Sequence, residues 1–194
     1  MSARPVTLEA QEFAVLNVIH LKRLAGNDAL VALTGLDAAT LGPLIGAAAT
    51  RGLVMSTEAG HMLLPEGTDA VRAYYDDSYA ALRGDAVIEA WYRRFETLNT
   101  RFIALLTSWQ GHPADDALFK ALAVIEQLSQ EIERLVPRIP RYQGYQQRFD
   151  AAIGAIDGGD TGLLCDPRRD SAHNIWFEFH EDILGVLGRP RDTT

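Results

Sequence analysis

Residues 33–67 read LTGLDAATLGPLIGAAATRGLVMSTEAGHMLLPEG. Asp37 precedes an apolar run, the place of an N-cap, and the spacing predicts a helix from there to Arg51, closed by Gly52. Leu53-Val54-Met55 and His61-Met62-Leu63-Leu64 flank the polar Ser56–Gly60, the pattern of a hairpin. Pro65-Glu66-Gly67 breaks the second strand, and Thr68 caps a helix through Tyr75. Pro43 stands six residues after the Asp37 cap. It removes a backbone bond there, at roughly 3 kcal/mol, unless the helix kinks or starts at Gly42-Pro43 and is shortened.

Upstream, Thr7 caps a helix to about Leu24 that buries Phe13, Leu16, Val18 and Ile19. Ala25-Gly26-Asn27 ends it, and a short helix over residues 28–33 stops at Thr34-Gly35. Three helices, a hairpin and a helix make residues 1–75 one domain.

The stretch quoted above resembles the winged helix-turn-helix of MarR-like regulators. It offers the second helix, the turn, the recognition helix, an "RGLV" exit, a wing, and "LLPEG" where that family often has "LTPEG". The resemblance covers roughly residues 8–75. It implies a winged-helix fold and a DNA-binding transcriptional regulator; a homodimer is expected, self-associating through the first helix or through the heptad faces that follow, above all the seam from Ile88 to Trp109.

Residues 76–194 carry a different rhythm. Ile88, Trp91, Phe95, Leu98, Phe102, Leu105 and Trp109 recur three and four apart. Leu118, Ala121, Ile125, Leu128, Ile132 and Leu135 do the same, as do Tyr142, Tyr145, Phe149, Ala152 and Ile156. His173, Trp176, His180, Ile183 and Leu187 make a fourth set. Gly84, Gly111-His112-Pro113, residues 137–140 and residues 158–167 separate them. Four consecutive heptad-like helices with short connections predict an antiparallel four-helix bundle for dimerisation or ligand sensing. The expected fold is therefore mainly α: a winged helix-turn-helix with a small hairpin wing, then the bundle. Residues 190–194 read as a frayed tail.

The run DSAHNIWFEFHED at 170–182 is similar to a helical accessory region of bacterial relatives of phosphoenolpyruvate-utilising enzymes. The similarity covers about twenty residues. It implies an accessory or protein-interaction role beside such a phosphotransferase system. The chain has no glycine-rich loop around a phosphoryl-accepting histidine and no ATP-binding signature, so it is not read as the phosphotransferase.

Composition narrows the choice. The chain has 194 residues, 47% apolar, enough for a real core. One cysteine, Cys165, excludes an internal disulfide and fits a reducing cytoplasm. No stretch reads as a signal peptide or a membrane span, so the expected location is cytoplasmic. Net charge is −8, shared as −2 over residues 1–75 and −6 over the rest. That charge opposes general attraction to nucleic acid or anionic lipid.

The predicted recognition helix has no Arg, Lys, Asn or Gln between Asp37 and Thr50. Those are the side chains that read base edges and clamp phosphates. Ala38, Ala39, Thr40, Pro43 and Gly46 or Ala47 face outward, and Thr40 is the polar reader. Lys22 and Arg23 at the end of the first helix, Arg51, and His61 beside Glu58 on the wing complete the DNA-facing set. Any DNA contact is expected to be phosphate-dominated.

On the last helix His173, Trp176, Phe177, His180, Leu184 and Leu187 form the best-aligned apolar stripe. Seven residues separate the histidines by about 10.5 Å along a helix, too far to share an ion. No metal or other cofactor is expected, and no nucleophile–base pair argues for an enzyme. The histidines read as core residues with hydrogen-bond partners, or as part of a pocket. Trp91, Tyr142, Tyr145, His173, Trp176 and His180 would wall that pocket. Arg141, with Arg134, Arg138 and Arg148 nearby, would favour a small carboxylate or phosphate ligand.

Overall fold

The structure is a computed structural model that describes residues 6–190; the expected frayed tail lies almost wholly outside them. The described residues are mainly helical, with eight α-helices and one two-stranded antiparallel sheet. They form two compact units, residues 6–83 with 181–190, and Gly84–His180. The division falls at Arg83/Gly84 where the sequence placed it at 75/76. It also assigns the end of the last helix to the first unit.

In the first unit α1 (Ala10–Lys22), α2 (Asn27–Thr34) and α3 (Ala38–Thr50) precede the strands β1 (Val54–Thr57) and β2 (Gly60–Leu63), then α4 (Pro65–Ser78). Asp37 caps α3 as expected, its carboxylate accepting from Thr40 N–H at 2.8 Å. Helix α3 runs unbroken through Pro43, so neither the late start nor the shortened helix occurs. Two expected caps are different. Glu9, without a side-chain cap bond, precedes α1 in place of Thr7. Helix α4 begins at Pro65 in the N1 position, where the missing N–H costs nothing, and Thr68 lies inside it.

The strands pair in the register Val54↔Leu63, Met55↔Met62, Ser56↔His61, Thr57↔Gly60. Beyond β2, Ala25 and His61 exchange backbone bonds of 2.9 and 3.1 Å. Gly60 and Gly67 explain themselves by close approach. A Cβ on Gly60 would stand 2.7 Å from the Ala25 carbonyl oxygen, and one on Gly67 2.1 Å from that of Leu53. The core between α1, α3 and α4 holds Leu16, Ile19, Leu30, Leu41, Leu53 and Val71. Phe13 stacks on Tyr74 at 3.9 Å and meets Tyr75 edge-on at 5.2 Å.

The end of α8 (Ala172–Leu187) joins this unit through polar contacts. Tyr75 O–H donates to Asn17 Oδ1 at 2.8 Å, and Asn17 donates to Asp182 at 3.3 Å. Arg83 donates to the carbonyls of Val186 and Gly185. These long-range partners move the boundary away from residue 75.

In the second unit α5 (Ala86–Gly111), α6 (Asp115–Glu133), α7 (Gln143–Asp157) and the first part of α8 enclose one core. Asp85 caps α5 through Val87 and Ile88 N–H and also accepts from Arg138 at 2.9 Å. Ser171, fully buried, accepts from Asn174 N–H at the start of α8. Among the described residues no single helix is long and apolar enough to cross a membrane; the α2–α3 pair has the composition but bends by 113° at its break.

Candidate functional site

The surface that would face DNA is built from α3 and the hairpin. The apolar period of α3 turns Leu41, Ile45 and Ala48 inward. What remains outside between Ala38 and Thr50 is alanine, glycine, Pro43 and Thr50. Ala39 and Pro43 are exposed, and Thr40 is half-buried beside the Asp37 cap. The carboxyl of Asp37 is held below its ordinary range, chiefly by the Thr40 backbone N–H, as a formed cap requires. No side chain on this face can donate a bidentate pair to a base edge.

The cations proposed for phosphates are distributed unequally. Arg51, the cap at the end of α3, is turned back onto the unit. It pairs with the buried Glu12 through Nη1 and donates to the Thr7 carbonyl at 3.1 Å through Nη2. His61 is likewise held: Nε2 donates to Asn27 Oδ1 at 2.9 Å, leaving Nδ1 to accept from Ser56 at 2.8 Å. Lys22 is half-buried and Arg23, in a left-handed conformation, is exposed. Burial, then Arg23 and Arg72, lower the pKa of His20 to about 4, so a small basic spot lies at the end of α1.

The hairpin shows what occupies the rest of the surface. Met55 and Met62 are directly opposite in the ladder and both exposed, at 45% and 39%. Leu24, 42% exposed, adjoins Ala25, whose isolated bridge to His61 lies beside β2. Cross-strand neighbours share a face. Met55 and Met62 therefore share one face, and with Leu24 they are half of the six large apolar side chains exposed among the described residues.

The aromatic set of the second unit is brought together, but as a packed core. Trp91, Tyr142, Tyr145 and Trp176 are all buried. Phe179, fully buried and absent from the expected set, is at their centre: its ring centroid lies 5.2 Å from Tyr142 and Tyr145 and 5.6 Å from Phe95. The polar tips are used internally. Trp91 Nε1 donates to the Glu131 carbonyl and Trp176 Nε1 to Asn99, both at 2.8 Å.

His173 and His180 flank that core. Of the expected stripe of α8, Trp176, Leu184 and Leu187 are buried, while His173, Phe177 and His180 are half-buried. The fully buried positions are Ala172, Ile175, Phe179, Ile183 and Val186, one position round the helix, so the histidines lie at the edge of the buried face and not at its centre. His180 meets the Phe95 ring edge at 5.1 Å. Burial lowers the pKa of His173.

Three of the four arginines expected to gather an anion already face carboxylates. Arg148 donates to Asp170 at 2.9 and 2.5 Å and to Glu178 at 2.7 Å. Burial pulls its pKa down, but the Asp170 hydrogen bonds and both carboxylate charges more than reverse this, and it is raised. Arg134 pairs with Glu131 at 2.6 Å and Arg138 with Asp85 at 2.9 Å. Arg141 lies over the Tyr142 ring at 4.8 Å. Among the described residues no group of three His, Cys, Asp or Glu side chains is placed to hold a metal ion. Comparison with protein-family models, with curated proteins and with solved structures finds no match to this chain.

Proposed function

We propose that this chain is a winged-helix protein with a four-helix bundle that acts through protein contacts and does not read DNA sequence. The order of α1–α3, the hairpin and α4, with the Ala25–His61 bridge beside it, supports the winged-helix reading. The heptad-like helices α5–α8 around one aromatic core support the bundle. One observation carries the function: the exposed face of α3 is made only of small or cyclic apolar residues and Thr50. Such a face admits another backbone closely and offers bases nothing to pair with. The similarity at residues 170–182 makes a phosphoenolpyruvate-type phosphotransferase system the first partner class to try.

The second reading is a dimeric MarR-like regulator. It is favoured by the basic spot of Arg23 and Arg72 around His20, which suits phosphates. The two separate by binding to fragmented genomic DNA at two salt concentrations. The protein-contact reading expects nothing tighter than non-specific affinity, about 10⁻⁴–10⁻⁶ M at physiological salt. A nanomolar, sequence-selective complex would establish the regulator instead.

A further inference from the structure

We propose that Ser56 is an acyl-accepting nucleophile, with His61 as its base and Asn27 holding the imidazole, and that it takes acyl groups from small activated esters or thioesters. The inference goes beyond the protein-contact reading and does not depend on it. Backbone geometry brings the three residues together. His61 donates its N–H to the Ala25 carbonyl and accepts from Ala25 N–H, both on the side of β2 away from β1. The facing pair 56↔61 is therefore a non-hydrogen-bonded one, in which opposite side chains stand closest, with about 4.5–5.5 Å between Cβ atoms. Val54, 3% exposed, shares their face and turns it toward the body of the unit. Asn27, the first residue of α2, meets His61 on that side.

The hydrogen bonds run in one direction. Ser56 Oγ–H donates to His61 Nδ1 at 2.8 Å, and His61 Nε2–H donates to Asn27 Oδ1 at 2.9 Å. An amide oxygen only accepts, so it fixes the ring proton on Nε2 and leaves Nδ1 as the base toward the hydroxyl. A nucleophile in reach of a base that a third group orients is the arrangement acyl transfer needs. In the reaction Ser56 Oγ bonds to the acyl carbon while its proton passes to His61 Nδ1. The bond from that carbon to the leaving oxygen or sulfur then breaks, and His61 returns the proton to the leaving group. Water, deprotonated by the same nitrogen, releases the acid and restores Ser56. Ser56 N–H points away from β2, where among the described residues no strand lies, and is the donor placed for the developing oxyanion. Ser56 and Asn27 are exposed and His61 half-buried, so the site has no walls to supply binding energy for a poor leaving group. That limits its donors to activated esters and thioesters and leaves amides aside.

The test treats the full chain with a fluorophosphonate and, separately, with p-nitrophenyl acetate, and maps any label by peptide mass. The fluorophosphonate should label Ser56 at one group per chain, and nitrophenol release should come from the same residue. Ser56→Ala should abolish both, and His61→Gln should slow them about 10²–10⁴-fold. Asn27→Ala should slow them about tenfold, the loss of one orienting hydrogen bond. Asn27→Asp should restore the rate, because a carboxylate also holds Nε2–H, a rescue that a merely structural Asn27 would not show. Ser78→Ala, at an exposed serine on α4, should change nothing. The thermal melting midpoint of each variant separates a chemical loss from an unfolded chain. A folded wild type whose Ser56 neither reagent modifies overturns the proposal. So does label confined to Cys165 or to lysine, or labelling of Ser56 that is indifferent to His61→Gln.

Discussion

Arg51 could serve a phosphate only by abandoning Glu12, whose side chain is 9% exposed. A carboxylate so buried is costly once its partner leaves. Arg51→Ala should therefore destabilise the first unit by about 1–2 kcal/mol, discounted for the partly exposed guanidinium, in denaturant melts. Arg148 is the corresponding group of the second unit. Arg148→Ala leaves Glu178 buried and should cost about 3 kcal/mol, while the paired change Arg148→Met with Glu178→Met should recover most of it. His20 gives a pH dependence. Its pKa of about 4 lies below the ordinary 6.5, so the unfolded chain takes up a proton first as pH falls. Stability present above about 6.5 should be lost between there and about 4. His20→Gln should flatten that part of the wild-type profile, and an unchanged profile would contradict the assignment.

At the scale of elements, α3 carries Gly42, Pro43 and Gly46 on one exposed face. A Cβ at Gly42 or Gly46 meets nothing within 4 Å. Gly42→Ala and Gly46→Ala should each stabilise the protein by about 0.5–1 kcal/mol, and Pro43→Ala by about 1–3 kcal/mol, read as rises in melting midpoint. Helix α3 was legible because Asp37 and Gly52 bracket it and its inward period is clean. Thr7 and Thr68 misled because position alone does not make a cap. Pro65 serves as the first residue of α4, and the Thr7 carbonyl is taken by the distant Arg51. Helix α8 is apolar over most of its circumference, so its sequence fits two stripes, and only the rings converging on Phe179 choose between them. The polar residues of 170–182 have structural partners: Asp170 and Glu178 hold Arg148, Ser171 caps α8, and Asp182 takes Asn17. Phe179→Ala should cost about 3–5 kcal/mol, whereas His173→Gln and His180→Gln should each cost less than about 1 kcal/mol.

At the scale of the whole chain, charge and surface point the same way. A net −8 repels a polyanion, and the exposed face of α3 presents alanine, glycine, Pro43 and Thr50. The bareness of that helix was legible in the sequence; the engagement of Arg51 and His61 was not, because Glu12 and Asn27 are 39 and 34 residues away from them. The most direct measurement follows the backbone amides of Ala38–Thr50 by NMR while mixed-sequence duplex DNA is added at physiological salt. The account predicts no saturable shifts in α3, with any changes confined to the neighbourhood of Arg23 and Arg72 and abolished by added salt. Saturable, salt-resistant shifts along Ala39, Thr40 and Pro43's neighbours would place α3 on the bases and contradict it.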